Sequence, residues 1–270
     1  LERANIDVGT YYASEIDKWT TIVSEANYPD IIRMGDVTKW REWDIDWASI
    51  DLLIGGSPCQ GFSFAGKQLA FDDPRSKLFF VYVDILNHIR SVNPGVKFLL
   101  ENVKMKKEHM AVITEQLGVE PCLINSALVS AQNRQRYYWA NWDFGQPEDK
   151  GITWGDIREN NAPASHYYTD KALSWIDKQS KRTGKVLRVW GDEDKCQMLE
   201  ASMFKNYSGQ RFFAIKDLHG LRYISLLECE RAQTVPDNYT AHVSNTQRYK
   251  MLGNGWTVDV IAHILRGAFP

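Results

Sequence analysis

Along the first 140 positions the apolar residues alternate between two rhythms, one of strands and one of helices. Val8 to Ile16 (VGTYYASEI) reads as a strand. Asp17 stands where a helix would be capped, and Trp19, Ile22, Val23 and Ala26 then recur at helical spacing until Pro29 closes the segment. Ile31 to Met34 is a short strand. Ile50 to Ile54 (IDLLI) is a continuous apolar run of the kind buried on both faces of a parallel sheet, with Gly55 and Gly56 expected to end it. Leu78, Tyr82, Ile85, Leu86 and Ile89 make one helical face, and Lys97 to Leu100 (KFLL) returns as a second buried strand. A helix from Lys107 to Leu117 stops at Gly118, which suits a left-handed cap, and strands follow near Cys122 to Val129 and Arg136 to Ala140. This order predicts an α/β fold with a doubly wound, Rossmann-like sheet.

Such sheets bind ligands at the carboxyl ends of their strands. Chemically loaded residues stand there: Glu15, Asp36, the run Gly55 to Gln60 (GGSPCQ), and Glu101-Asn102-Val103. Each has a plain alternative. An acid after a strand often only caps a helix, which applies to Glu15 and Asp36. A lone cysteine is usually a small buried hydrophobe. Cys59 departs from that pattern because it follows Gly-Gly-Ser-Pro in a loop, and Glu101 because a carboxyl directly after KFLL is costly to bury without purpose.

Composition narrows the picture. With 270 residues, 44% of them hydrophobic, the chain can bury a large core and fits one domain, or one domain with a smaller lobe. No apolar run approaches the roughly 20 residues of a membrane span, and the sequence opens with no secretory leader, so a soluble intracellular protein is expected. Cys59, Cys122, Cys196 and Cys229 form no C-x-x-C pair, which argues against zinc and against a disulfide framework. The net charge of -2 hides an uneven distribution. Positions 171 to 222 hold 11 Lys and Arg against 6 Asp and Glu, whereas positions 1 to 75 hold 7 against 13. Phosphate attraction needs only a local positive face.

Five segments then point in one direction. GGSPCQGFSFAGKQ, continuing through FDDPRSKLFF, resembles the proline-cysteine loop of the C5-cytosine DNA methyltransferases, and ENV resembles their glutamate motif. QNRQR (Gln132 to Arg136) is similar to the family's Q-x-R-x-R motif. RYISLLECERAQTVPDNY (Arg222 to Tyr239) resembles the support of the target-recognition region, and GNGWTVDVI (Gly253 to Ile261) resembles the last motif. The segments occur in family order over nearly the whole chain.

The resemblance implies roles that the chemistry makes intelligible. Cytosine C5 becomes nucleophilic only after a nucleophile adds to C6, and a thiolate suits that step; Cys59 is the implied nucleophile. Glu101 would be the acid beside N3 and N4, with Arg134 and Arg136 holding the base oxygen, the catalytic loop and a phosphate. The target must be swung out of double-stranded DNA. For the cofactor, S-adenosyl-L-methionine (leaving as S-adenosyl-L-homocysteine), the resemblance assigns Glu15 to the ribose, Ile16 to the adenine face, and Asp36 with Val37 to its edge. Pro58, Leu78, Asn254 and Trp256 complete that pocket, although Trp256 equally suits a core position in the last helix. No metal is implied.

The expected organisation is a catalytic domain over 1–140, a recognition lobe over 141–221 and C-terminal helices over 222–270. The lobe's basic excess and its aromatics Trp175, Trp190, Phe204, Tyr207, Phe212 and Phe213 suit contacts with DNA. Ser225 and Glu228 have capping-box spacing, with Arg231 and Gln233 on the following turn as structural support. The family's opening strand and its Phe- and Gly-rich turn have no counterpart, since Leu1 falls in the helix after them, so a missing N-terminal piece and an opened sheet are expected. Two alternatives stay open, a transfer-RNA cytosine methyltransferase and a non-catalytic DNA-binding relative. The expected setting is the cytoplasm of a bacterium or phage host, or a eukaryotic nucleus, with a monomer slightly favoured.

Overall fold

The computed structural model describes residues 1–56, 77–208 and 213–269. Strand β1 (Tyr12–Ala13) pairs in parallel with β2 (Ile32–Arg33), joined by helix α1 (Lys18–Asn27). The Asp17 carboxylate accepts the N–H groups of Trp19 and Thr20 at 2.9 and 3.0 Å, so the cap stands where the sequence puts it. The strand expected over Val8 to Ile16 is only two residues long. Among the described residues β1 has a strand neighbour on one side only, and an isolated strand pair is marginal in water.

The main sheet has the order β3-β4-β7-β5. Strand β3 (Leu52–Gly56) leads to helix α2 (Lys77–Val92), then to β4 (Lys97–Val103), α3 (Lys107–Leu117), β5 (Cys122–Asn125), the short β6 (Gln132–Asn133) and β7 (Gln135–Ala140). β3 and β4 run parallel, while β7 is antiparallel to both β4 and β5. The sheet is thus mixed and, among the described residues, separate from the β1–β2 pair.

Both faces of β4 are buried, which is why its sequence shows no alternation. Phe98 and Leu100 pack with Phe79, Leu86 and Ile89 of α2 and Ile113 of α3. Leu99 packs on the other side with Val260, Ile264 and Leu265 of the last helix and with Ala4 near the start of the chain. Gly118 takes the left-handed conformation at φ 74° and ends α3 as expected.

Two expectations need correction here. Gly55 and Gly56 are the last two residues of β3 and lie within it rather than just after it, where they admit close neighbours: a β-carbon on Gly55 would stand 2.6 Å from the Tyr82 ring. Glu101 likewise does not follow β4 but lies inside it, in register with Gly56 on one side and Tyr138 on the other. Two 3₁₀ segments, Val37–Glu42 and Trp47–Ser49, were not foreseen; Trp40 and Trp47 meet edge to face at 5.6 Å and both contact His88 of α2.

Beyond β7 come α4 (Trp154–Ile157), α5 (Asp170–Thr183), β8 (Arg188–Trp190), β9 (Cys196–Gln197), β10 (Phe213–Asp217) and β11 (Gly220–Arg222). β10 pairs with β8 and β11 in a small sheet, and β9 pairs with β6. Trp154, Leu199, Phe213 and Ile215 share one core with Ile224 and with Cys229, Ala232, Tyr249 and Leu252 of helices α6 (Leu226–Ala232) and α7 (Asn245–Asn254). Helix α8 (Val258–Leu265) closes the chain against the main sheet. The Ser225–Glu228 capping box is formed, and Glu228 also receives Arg222.

Candidate active site

Glu101 is 8% exposed. Its Oε1 forms an ion pair with Arg136 Nε at 2.9 Å, and its Oε2 accepts the Trp256 indole N–H at 3.1 Å. Three distant segments therefore converge on one carboxyl: β4 brings Glu101, β7 brings Arg136, and the turn between α7 and α8 brings Trp256. Gly56 is part of the same contact, since a β-carbon there would stand 3.1 Å from the Trp256 ring and 3.4 Å from Glu101 Oε2. Gly56 is also three positions before Cys59 in the sequence. Cys59 and Pro58 lie outside the described residues, as does Phe212.

Burial raises the pKa of Glu101 above the ordinary carboxylate range, and the charges of Arg136 and Arg134 with the indole N–H only partly oppose it. The carboxyl is thereby disposed to hold a proton closer to neutrality than a surface glutamate would. Tyr138 beside it is pushed upward by burial and by Glu101.

Arg134 is 2% exposed and spans backbone carbonyls from two regions. Nη1 donates to Leu199 at 3.2 Å and to Gly253 at 3.3 Å, and Nη2 donates to Gly255 at 2.7 Å. Its position is that of a clamp holding the turn before Trp256. Arg136 adds bonds from Nη1 to the Gln135 carbonyl and to Met198 Sδ.

Three residues without an assigned chemical role complete the framework. Gln132 Nε2 donates to the Ala232 carbonyl and to Gln233 Oε1, and Gln233 Nε2 donates to the carbonyls of Leu252 and Gly255. Thr257 Oγ1 donates to Gln233 Oε1 at 3.0 Å. Gln132 opens the QNRQR run, so its motif was visible in the sequence although its partners were not.

The profile of the family described as C-5 cytosine-specific DNA methylase matches residues 1–171 and 146–269. The chain belongs to the C5 cytosine-specific DNA methylase family. It is 32% identical over 94% of its length to the Type II methyltransferase M1.ScrFI of Lactococcus lactis subsp. cremoris, covering 70% of that protein. It is 30% identical to the Type II methyltransferase M.NlaX of Neisseria lactamica, over 98% of this chain and 90% of the relative. Among solved structures it is similar to the Entamoeba histolytica methyltransferase EhMeth, with a TM-score of 0.77 at 18% identity, covering 99% of this chain and 92% of the other. A DNMT2 variant from Spodoptera frugiperda gives 0.72 at 20% identity, covering 100% and 95%. These likenesses share the Rossmann-like α/β fold.

Membership in this DNA methylase family implies S-adenosylmethionine as methyl donor, and the residues at the carboxyl ends of β1 and β2 fit it. Glu15 is exposed just after β1, its Oε1 fixed by the N–H groups of Ile16 and Asp17, both at 2.7 Å. Ile16 is 78% exposed, an apolar surface suited to a flat ring. Asp36 follows β2; the N–H and hydroxyl of Thr38 hold its carboxyl below the usual range, so it stays an acceptor. Val37 packs at the edge of the α2 core, Leu78 is partly buried in the first turn of α2, and Asn254 is exposed at the end of α7. Asp36 is thus both the helix cap of the plain alternative and a rim carboxylate. In this methylase no cluster of three or more metal-ligating side chains occurs among the described residues, and none of its described helices is long and apolar enough to cross a membrane.

Proposed function

We propose that this chain transfers a methyl group from S-adenosyl-L-methionine to C5 of cytosine in double-stranded DNA, with Cys59 as nucleophile and Glu101 as acid. The observation that carries the reading is Glu101 itself: a buried carboxyl with a raised pKa, held by an ion pair and an indole hydrogen bond and in register with the glycine that opens the Gly-Ser-Pro-Cys run.

The chemistry follows from that placement. The Cys59 thiolate adds its electron pair to C6 of the extruded base, the C5–C6 double bond opens, and charge moves toward O2 and N3. Glu101 meets that charge by donating its proton at N3, which lowers the barrier; general acids of this kind contribute roughly 10²- to 10⁴-fold. Arg136 steadies the carboxyl through Oε1, and Arg134 holds the surrounding backbone. Glu15, Ile16, Asp36, Val37, Pro58, Leu78, Asn254 and Trp256 would hold S-adenosylmethionine, which when bound supplies an electrophilic methyl and departs as S-adenosyl-L-homocysteine. Once C5 carries the methyl, a water molecule takes the C5 proton, the C5–C6 double bond reforms, Cys59 leaves with the pair that formed the C6–S bond, and N3 returns its proton to Glu101. A thiolate suits both halves because it attacks well and leaves well.

The segment 141–221 is proposed as the target-recognition lobe and the remainder as the catalytic body. Supporting this, Trp175 is 37% exposed on α5 amid Lys171, Lys178, Lys181 and Arg182, and the ammonium groups of Lys205 and Lys250 lie 5.8 and 5.6 Å from the Phe204 ring centre. Extruding a base costs a few kcal/mol, which such phosphate and stacking contacts offset. Because its relatives carry Type II names, a role in restriction-modification is proposed.

The test is incubation of the whole chain with S-adenosylmethionine labelled in its methyl group, offering duplex DNA and transfer RNA in parallel. Label recovered as 5-methylcytosine in duplex DNA supports the reading. Label confined to transfer RNA, or to neither, overturns it.

A further inference from the structure

We infer that Trp256 is a positioning residue for Glu101, fixing the carboxyl oxygen that Arg136 leaves free. The inference rests on the reading of Glu101 as the acid and adds a residue that acts through it.

A carboxyl presents about four lone-pair sites and can rotate unless both oxygens are held. In this protein Arg136 Nε from β7 pairs with Oε1 as an ion pair at 2.9 Å, and the indole N–H donates to Oε2 at 3.1 Å from the turn before α8. Arginine and indole are donors only, so neither competes for the proton that Glu101 must deliver. With one partner on each oxygen, the carboxyl is held against rotation.

The chain on either side of Trp256 is itself held. Arg134 grips the carbonyls of Gly253 and Gly255 ahead of it, Gln233 Nε2 grips Gly255 again at 3.2 Å, and the Thr257 hydroxyl behind it donates to Gln233. Gly56 provides the room: with a β-carbon 3.1 Å from Cζ2 and 3.3 Å from Nε1, no larger residue fits without displacing the ring. Because Arg134 also holds the Leu199 carbonyl, the same clamp ties Trp256 to the segment carrying β9. A tryptophan serving only as core filler would need none of these bonds to its flanking backbone, nor an indole edge aimed at a carboxylate.

A donor on Oε2 favours the ionised form of Glu101, so removing it raises the pKa further while loosening the side chain. Trp256→Phe keeps the aromatic bulk and deletes only the N–H. The measurement is the pH–rate profile of methyl transfer by the whole chain into duplex DNA, with kcat and the KM for DNA determined separately. The expected result is a kcat lower by about 10- to 100-fold, the loss typical of a hydrogen bond to a charged group, with the KM for DNA within about 3-fold and the falling alkaline limb moved to higher pH. An unchanged profile with kcat within about 2-fold overturns the inference. Should Trp256→Phe fail to fold, Gly56→Ala provides the second arm, because its β-carbon crowds the indole at 3.1 and 3.3 Å and shifts it by a few tenths of an ångström relative to Oε2, which moves the same limb the same way; an unmoved limb counts against the inference. Full activity of Glu101→Gln would instead refute the acid itself, so the two failures are distinguishable.

Discussion

Gly253 lies against the Glu200–Ala201 peptide so closely that a β-carbon on it would stand 2.1 Å from the Glu200 carbonyl carbon. This contact seats α7 on the segment between β9 and β10, and the same glycine offers its carbonyl to Arg134. Both neighbours are backbone, so neither can swing aside. Gly253→Ala is expected to destabilise the protein by about 1–3 kcal/mol, lowering the melting temperature by several degrees, since forced overpacking displaces main chain. Thermal unfolding followed by circular dichroism checks this, and an unchanged midpoint would show that the contact is loose in solution.

Arg222 joins two elements through three charge-assisted bonds. Its Nη1 and Nη2 reach Glu228 at 2.9 and 2.6 Å and its Nε reaches Asp217 at 2.6 Å, with Arg222 and Glu228 fully buried. Arg222→Leu strands the Glu228 carboxylate in the core and is expected to cost about 3–5 kcal/mol, whereas Arg222→Leu with Glu228→Gln recovers part of the loss. Denaturant unfolding of the three proteins reads this out.

The same cluster predicts an acid dependence. Burial pushes the Asp217 carboxyl up, but Arg222, the His219 N–H and the Tyr167 hydroxyl together pull it below its ordinary value. A depressed folded-state pKa contributes stability above the unfolded value, and that stability disappears as pH falls through the folded one. Stability should therefore drop below the ordinary aspartate range, and Asp217→Asn should flatten that drop in unfolding midpoints measured across pH.

Much of the framework was legible because it rests on local signals. The uniform apolar run of β4 announced burial on both faces, although the similar run of β3 is only partly buried; Asp17 and Gly118 marked helix ends, and Ser225 with Glu228 marked the start of α6. The approach of Glu101 and Trp256 had no such signal, because 155 positions separate them and no periodicity links a strand acid to a turn indole. Gly55 and Gly56 were misread for a related reason. Their role depends on Tyr82 and Trp256, which only the fold brings near. Arg134 was recognisable as a motif arginine, but its commitment to three carbonyls follows from tertiary packing.

Glu101 should govern the alkaline limb of activity. Its pKa is raised by burial, so the protonated, competent form persists toward neutrality and is lost as pH rises through that value. Glu101→Gln cannot deliver a proton and is expected to lower the methylation rate by about 10²- to 10⁴-fold and to abolish the limb. Steady-state rates across pH on the same duplex test both effects.

Covalent attack by Cys59 on an extruded cytosine whose far edge meets Glu101 is open to a direct test. A duplex carrying 5-fluorocytosine at a methylated position blocks the final proton loss and should trap the chain as a stable adduct. Mass spectrometry of the digested complex is predicted to place the nucleotide on Cys59, with no adduct after Cys59→Ser. An adduct on any other residue, or one that survives that substitution, would contradict the account.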